Sequence, residues 1–245
     1  MSLFAIADLH LSLGADKPMD VFPGWENYVE KIKKNWCAVV GDGDTVVIAG
    51  DVSWAMSLQG TREDFGFLNT LPGKKLIVKG NHDFWWDTAT KMKNHFALCG
   101  YNTIEIVHNS AHRVYGLEGI AVCGTRGWFY DAGGDKKILL REAGRLETSI
   151  NLAEKAGLEP IVFLHYPPVF AAYRCDEIMD ILVRHQVKRC YFGHLHGKAA
   201  VSAFEGDCEG MSFRLISCDH TDFYPVIVEK GDEQRISMKL SEQMG

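Results

Sequence analysis

The sequence predicts an α/β fold that ends in a β-rich last third, and three observations carry this prediction. Apolar runs of three or four residues recur along the first two-thirds of the chain and end in polar or glycine residues. Amphipathic stretches with helical spacing separate them, a pattern typical of strand–helix–strand units on a largely parallel sheet. Beyond residue 198, apolar runs follow one another with only short polar turns between them.

Apolar runs predict the strands of the first two-thirds of the chain, and apolar residues repeated at helical spacing predict its helices. Five runs are predicted to be buried strands: Phe4 to Ala7, Val46 to Ala49, Leu76 to Val78, Ile161 to Leu164 and Cys190 to Phe192. Two stripes with steps of three and four residues predict helices whose apolar faces pack on the core. The stripes are Trp25, Val29, Ile32, Trp36 and Val39 before Gly41, and Leu139, Ala143, Leu146, Ile150 and Ala153 before Gly157.

The last third is predicted to form successive antiparallel strands. The proposed strands are Ala199 to Phe204, Met211 to Ser217, Phe223 to Glu229 and Arg235 to Leu240. Glu205-Gly206-Asp207 is interpreted as a turn, and Gly231-Asp232 marks the final hairpin. Because no repeat or Pro/Ser-rich linker divides the chain, we expect one domain over residues 1–245.

Composition and charge indicate which binding partners and which cellular compartment to expect. The 245 residues are 47% hydrophobic and 24% charged, which is typical of a globular protein. The net charge of −6 argues against a nucleic-acid partner and an anionic membrane surface. Seven cysteines without a C-x-x-C pair favour a reducing compartment. Neither a signal peptide nor a membrane span is predicted, so we expect a cytoplasmic protein, and the sequence does not indicate an oligomeric state.

Side chains with catalytic or metal-binding chemistry follow the ends of all five predicted strands. They lie in the segments Asp8-Leu9-His10, Gly50-Asp51, Gly80-Asn81-His82-Asp83, His165 and Gly193-His194-Leu195-His196. The carboxyl ends of strands line the ligand crevice in open α/β sheets, so these residues are expected to meet. Singly, each has a structural explanation, such as a helix cap for Asp51, a core imidazole for His165 or a turn for Asn81. Together they favour a functional site.

The spacing and chemistry of these residues point to metal ions. Asp8 with His10, and His194 with His196, are pairs two residues apart, which face the same side of an extended segment. Mixed oxygen and nitrogen ligands suit Mn²⁺, Fe²⁺ or Zn²⁺, and also Co²⁺ or Ni²⁺. Because the candidate ligands are too many for one tetrahedral ion, we predict two divalent ions about 3.5–4 Å apart that share one carboxylate.

The ordered pattern D-x-H, GD, GNH-[DE], a lone His and GHxH resembles the calcineurin-like metallophosphoesterases over residues 8–196. The resemblance implies two mixed sheets packed face to face between helices, a four-layer α/β/β/α sandwich of the α/β (α+β) class. It also implies three groups of ligands: Asp8, His10 and His196 for the first ion; Asn81, His165 and His194 for the second; and Asp51 as the bridge.

Such a centre implies a phosphohydrolase, either a phosphomonoesterase or a phosphodiesterase, and the motifs leave a pyrophosphate substrate open as well. In this mechanism two ions clamp the phosphoryl oxygens and activate a water for in-line attack on phosphorus. His82 resembles the family histidine that protonates the leaving group or stabilises charge, although it could merely support the ligands. A small phosphorylated metabolite such as a nucleotide is the expected substrate. The alternatives are a catalytically silent scaffold for a protein partner and a redox site.

The segment after Asp51 departs from the Ser/Thr protein phosphatases of the family, which continue GD-x-x-D-R-G. Here Trp54 replaces the aspartate and no arginine follows, so a protein phosphatase is disfavoured and the residue that orients His82 is open. Arg126 is a candidate replacement that could bind two phosphate oxygens, or could instead stack on Trp128 or Tyr130. Aromatic residues near the motifs either wall a pocket or pack the core: Trp54, Phe84, Trp85, Trp86, Trp128, Phe129 and Tyr130.

Overall fold

Two mixed β-sheets packed face to face form the centre of the computed structural model, which describes residues 1–128 and 136–231. The strands are β1 (Ser2–Ile6), β2 (Thr45–Ala49), β3 (Lys74–Val78), β4 (Ile104–Ile106), β5 (His112–Arg113), β6 (Ile120–Thr125), β7 (Glu159–Leu164), β8 (Val169–Phe170), β9 (Tyr173–Arg174), β10 (Arg189–Phe192), β11 (Gly206–Cys208), β12 (Met211–Leu215) and β13 (Val226–Lys230). The helices are α1 (Tyr28–Val39), α2 (Arg62–Thr70), α3 (Ala89–Cys99), α4 (Lys136–Lys155), α5 (Asp176–Arg184) and α6 (Gly197–Ala200), with a 3₁₀ turn at Gln59–Thr61.

The first sheet has the strand order β13-β1-β2-β3-β4, and the second has the order β11-β12-β10-β7-β6-β5. Pairing is parallel from β1 to β4 and from β12 through β10 and β7 to β6. The antiparallel strands are at the edges of the sheets: β13 on β1, β11 on β12 and β5 on β6. Strands β8 and β9 form a separate hairpin.

Three apolar clusters hold the layers together. In β1, Leu3 and Ala5 face the second sheet, whereas Phe4 and Ile6 face α1 to α3, because side chains alternate across a strand. Helices α4 and α5 cover the outer face of the second sheet, where α4 contributes Leu146. The predicted four-layer α/β/β/α sandwich is therefore confirmed.

The predicted helices and parallel strands are confirmed. The stripe before Gly41 forms α1, and the stripe before Gly157 forms α4. The five apolar runs form β1, β2, β3, β7 and β10. No helix in the described ranges combines the length and the apolar character that crossing a bilayer requires.

The predicted strands Met211 to Ser217 and Phe223 to Glu229 form β12 and β13, and β12 is antiparallel to β11, but the predicted antiparallel pairing of successive strands is otherwise wrong. Strand β12 pairs parallel with β10, and β13 crosses to the other sheet to pair with β1. Residues 199–204 form no strand, since α6 begins at Gly197, whose N–H donates to a carboxylate oxygen of Asp219 at 3.0 Å. The expected turn at 205–207 overlaps β11. Asp232 and the expected strand 235–240 lie outside the described residues.

The loops that follow the parallel strands meet at one corner of the sandwich. An isolated parallel bridge joins Ala7, just after β1, to Ser217, just after β12. A second bridge joins Leu11 to Ser53, so the loops after β1 and β2 continue side by side. The first of these bridges connects the two sheets at their carboxyl edges, which brings residues from both sheets to one place.

Candidate metal centre

The loop after β3 and two loops of the second sheet bring Asn81, His165 and His194 together. The side-chain oxygen of Asn81 lies 2.6 Å from Nε2 of His165 and 3.0 Å from Nδ1 of His194. Nδ1 of His165 is 3.1 Å from the carbonyl oxygen of Ala49. A proton on Nδ1 donates to this carbonyl and leaves Nε2 as the electron-pair donor, an arrangement common among metal-binding histidines.

Asp8, His10 and His196 form a second group beside the first. Nε2 of His10 is 3.4 Å from Nε2 of His196, which in turn is 3.8 Å from Oδ1 of Asp8. One potential ligand atom from each of the three residues lies within 4.8 Å of the others. This group is the set of residues that the sequence assigned to the first ion.

Asp51 lies between the two groups. Its Oδ2 is 3.9 Å from Nε2 of His10 and 3.5 Å from Nε2 of His165, while its Oδ1 accepts the backbone N–H of His82 at 2.7 Å. Asp51 also forms, with Asp8 and His165, another cluster whose ligand atoms lie within 4.8 Å of one another. The structure thus gathers all seven predicted ligands, with Asp51 between the two groups.

The donor atoms fit divalent cations. Oδ1 of Asp8 is buried and has no hydrogen-bond partner in the described part of the chain, although an unsatisfied buried carboxylate oxygen is costly. Burial above all, with repulsion from Asp51, raises the pKa of Asp8 to about 7. Burial lowers the pKa of His165 and of His194 to about 3, which keeps both imidazoles in the neutral form that binds metals. A cation would satisfy the orphaned oxygen and these nitrogens together.

Four of the seven candidate ligands have left-handed backbones. The φ angles are 60° at Asp8, 46° at His10, 49° at Asp51 and 74° at His194. Residues other than glycine adopt this region at a cost of order 1 kcal/mol each, and such residues cluster at functional sites. These four residues all lie in the loops that follow β1, β2 and β10.

Glycines beside the ligands permit this close packing. A Cβ atom on Gly80 would lie 2.1 Å from the backbone nitrogen of Asp51, and one on Gly193 would lie 2.5 Å from Oδ2 of Asp8. Real side chains essentially never approach this closely. The glycines in the GNHD and GHLH motifs are therefore requirements of the loop-to-loop contact.

Asp83 hydrogen-bonds the loops after β2 and β3 to each other, a role that was not predicted from the sequence. Its carboxylate accepts the backbone N–H groups of Asp51 at 3.0 Å, Val52 at 2.9 Å and Gly80 at 2.7 Å. Nε1 of Trp85 donates to it at 2.9 Å. Burial, together with Asp51, raises the pKa of Asp83 to about 7. Asp83 was part of the GNHD motif, but its long-range partners were not visible in the spacing.

Asp219 is the other functional residue that the sequence analysis missed. Its Oδ1 lies 2.8 Å from Nδ1 of His196 and therefore orients that ring. Burial lowers the pKa of His196, but the hydrogen bond to Asp219 and the charge of Asp8 outweigh burial and raise it to about 9. Asp219 follows β12 closely, so the signal that identified the other residues, a polar side chain after an apolar run, was also present here.

We expect Asp219→Asn to weaken divalent ion binding by about 10- to 100-fold, the usual cost of losing a partner that orients a histidine ligand. Titration calorimetry with Mn²⁺ measures this loss. Asp222→Asn, an exposed aspartate in the same loop, is the matched control. Equal affinities of the two variants would contradict the role of Asp219.

Trp54 occupies the position beside His82 that the sequence left open. The rings of Trp54 and His82 have centroids 4.5 Å apart, and Trp54 stacks on His10 at 5.0 Å. Nζ of Lys17 lies 3.8 Å from the centroid of the Trp54 ring. The Trp54 ring therefore contacts His82 at the position where the protein phosphatase pattern has an aspartate.

The remaining aromatic residues divide between packing and the rim of the site. Trp85 is buried in the core, whereas Phe84 is exposed, with its ring centroid 5.9 Å from that of His82. Arg126 lies 4.9 Å over the ring of Trp128, which is the stacking alternative considered for it. Phe129 and Tyr130 lie outside the described residues.

The fold and the Asp/His cluster define an α/β-sandwich protein with a candidate metal centre. The profile of the calcineurin-like phosphoesterases matches residues 1–198, so the chain belongs to that family and the resemblance is confirmed. Family membership indicates a phosphohydrolase and divalent metal cofactors.

Solved structures share the fold. The phosphopantetheinyl hydrolase PptH from Mycobacterium tuberculosis is 14% identical, with a TM-score of 0.54 over 88% of each chain. The protein TT1561 of Thermus thermophilus is 17% identical, with a TM-score of 0.53 over 80% of this chain and 82% of that chain.

Gene 66 protein of Mycobacterium phage L5 is 40% identical over 58 residues, which span 24% of this chain and only 28% of the phage protein.

Proposed function

We propose that the protein is a dinuclear metal-dependent hydrolase of small phosphomonoesters or phosphodiesters, such as nucleotides. The observation that carries the proposal is the position of Asp51, whose Oδ2 lies within 3.9 Å of a histidine nitrogen from each ligand group. A carboxylate between two sets of ligands is the arrangement that two neighbouring cations share.

The ligands divide as the family pattern implies. Asp8, His10 and His196 would hold one ion, and Asn81, His165 and His194 the other, with Asp51 shared. When bound, two divalent ions would lower the pKa of water and neutralise charge on the phosphoryl oxygens. The oxygen and nitrogen donors favour Mn²⁺, Fe²⁺ or Zn²⁺, followed by Co²⁺ or Ni²⁺.

His82 would assist the departing oxygen of the substrate. Its Nδ1 is buried without a hydrogen-bond partner in the described part of the chain, while the residue as a whole is partly exposed. Burial lowers the pKa of His82, although Asp51 opposes the shift, so the ring is neutral at pH 7 and carries one N–H. This N–H donates to the leaving-group oxygen as negative charge develops on it.

The cellular setting follows from the cysteines and the charge. All seven cysteines are free thiols, which supports a reducing cytosol. The acidic composition supports a small phosphorylated substrate rather than a nucleic acid or membrane lipid.

The test is hydrolysis of p-nitrophenyl phosphate and bis-p-nitrophenyl phosphate by protein reconstituted with Mn²⁺, Fe²⁺ or Zn²⁺. We expect metal-dependent release of nitrophenolate that stops on chelation and returns with the ion. Full activity with Zn²⁺ would also rule out redox chemistry, because Zn²⁺ does not change oxidation state. Inactivity with two ions bound per chain would instead favour the scaffold.

A further inference from the structure

A recess beside the candidate metal centre collects basic side chains from both sheets and from α4. Lys79 follows β3 directly, Arg126 follows β6 directly, and Arg145 is on α4. These three residues line the recess together with Thr125 and Glu142. The enclosed space of about 10 Å³ holds one water molecule, so a larger ligand would lie at its mouth.

Among the described residues that line the recess, Glu142 is the one carboxylate, and Arg145 already pairs with it. Glu142 is 2% exposed and accepts hydrogen bonds from Nη1 of Arg145 at 2.7 Å and from Oγ1 of Thr125 at 2.6 Å. Nη2 of Arg126 is 3.8 Å from Glu142, which is beyond hydrogen-bond distance. Nε of Arg126 is buried and has no partner in the described residues. The guanidinium of Arg126 therefore stacks on Trp128 but has no carboxylate within hydrogen-bond distance among the described residues.

Lys79 is the second cation of the recess without a carboxylate at hydrogen-bond distance among the described residues. Its side chain is partly buried, and it has neither an ion pair nor a hydrogen bond to another side chain within the described residues. Two cations held together without a carboxylate for each repel one another, and an anion at the mouth would relieve this repulsion.

The recess adjoins the half of the centre formed by Asn81 and His165. Lys79 precedes Asn81 by two residues. The backbone carbonyl of Arg126 accepts the N–H of His165 at 3.2 Å and that of Tyr166 at 2.9 Å. Lys79 and Arg126 therefore belong to backbone segments that adjoin Asn81 and His165.

We propose that Lys79 and Arg126 bind a second anionic group of the substrate, so that the preferred substrates carry two phosphoryl groups. This inference rests on the proposed hydrolase function, which places the first phosphoryl group at the metal ligands. The planar guanidinium pairs with two phosphoryl oxygens, and the ammonium contributes a compact charge beside it. Pyrophosphate-linked compounds and small bisphosphates are the classes that satisfy both positions.

Binding is tested first on metal-free protein, with orthophosphate as the probe in titration calorimetry at constant ionic strength. Lys79→Gln and Arg126→Gln should each weaken orthophosphate binding by about 10- to 100-fold, the range for lost hydrogen bonds to charged groups. Arg126→Lys should lie between, since it keeps the charge but loses the planar pairing. Lys34→Gln, an exposed lysine on α1, is the control and should bind like the parent.

Selectivity is tested on the Mn²⁺-loaded protein with an alkanediol bisphosphate and the matching monophosphate. The parent and Lys34→Gln should favour the bisphosphate by at least about tenfold in kcat/KM, and Lys79→Gln and Arg126→Gln should lose this preference. The second subsite would be refuted if neither substitution weakened orthophosphate binding, or if the parent had equal kcat/KM for the two esters. Hydrolysis of p-nitrophenyl phosphate tests the proposed hydrolase function separately. If the protein hydrolyses this ester but does not favour the bisphosphate, only the second subsite is refuted.

Discussion

Asp51→Asn is expected to prevent the protein from holding two ions at once and to lower phosphoester hydrolysis by at least about 10³-fold, more than the loss of an orienting partner costs. Asparagine keeps the size of the side chain and the oxygen that accepts the N–H of His82. It removes the negative charge that lies within 3.9 Å of His10 and His165. Metal content per chain, measured by elemental analysis after reconstitution, reports the loss directly.

In the metal-free protein, Asp51→Asn is expected to raise the free energy of unfolding. Burial raises the pKa of Asp51 to about 6, so its ionisation costs folding free energy that grows as the pH rises from the unfolded pKa through that value. This cost is absent below about pH 4 and complete by about pH 8. Asp51→Asn should therefore unfold at a higher temperature than the parent at about pH 8 without metal, and should lose the stabilisation that metal gives. Asp207→Asn, on exposed β11, is the control; two ions bound to Asp51→Asn would refute the bridging role.

The ends of the parallel strands were predictable from sequence because two independent signals coincide there. Burial on both faces makes each strand a continuous apolar run, and the polar residue that follows marks its carboxyl end. For Asp8, Asp51 and His165 these signals were enough, since parallel strands bring their carboxyl ends to one edge. The glycines of the motifs then follow from the close approach of the loops.

The pairing of the last third was not predictable, because an alternating apolar pattern identifies a strand but not its partner. Met211–Leu215 and Val226–Lys230 are consecutive strands in the sequence, yet they join different sheets. The roles of Asp83 and Asp219 depend on the same long-range packing, as Asp219 reaches His196 only because β12 lies beside β10. Sequence spacing therefore located the ligands, while the residues that orient them required the topology.

The contact between Trp54 and His82 leads to the second large effect. His82→Ala is expected to lower kcat by about 10²–10⁴-fold, the range for a group that transfers or shares a proton in the transition state. Both ions should remain bound, because His82 is not among the gathered ligands. Kinetics with phenyl phosphate and p-nitrophenyl phosphate measure the effect, and His95→Ala on α3 is the control.

The two esters separate proton donation from structural support. Phenolate is the poorer leaving group and needs a hydrogen-bond donor more than nitrophenolate does, so His82→Ala should slow phenyl phosphate more strongly. Trp54→Leu removes the ring 4.5 Å from His82 but no ligand, so it should show the same preference with a smaller loss, whereas Trp54→Phe should retain most activity. Equal losses for both esters, accompanied by reduced metal content, would show instead that His82 only supports Asp51 and Asn81.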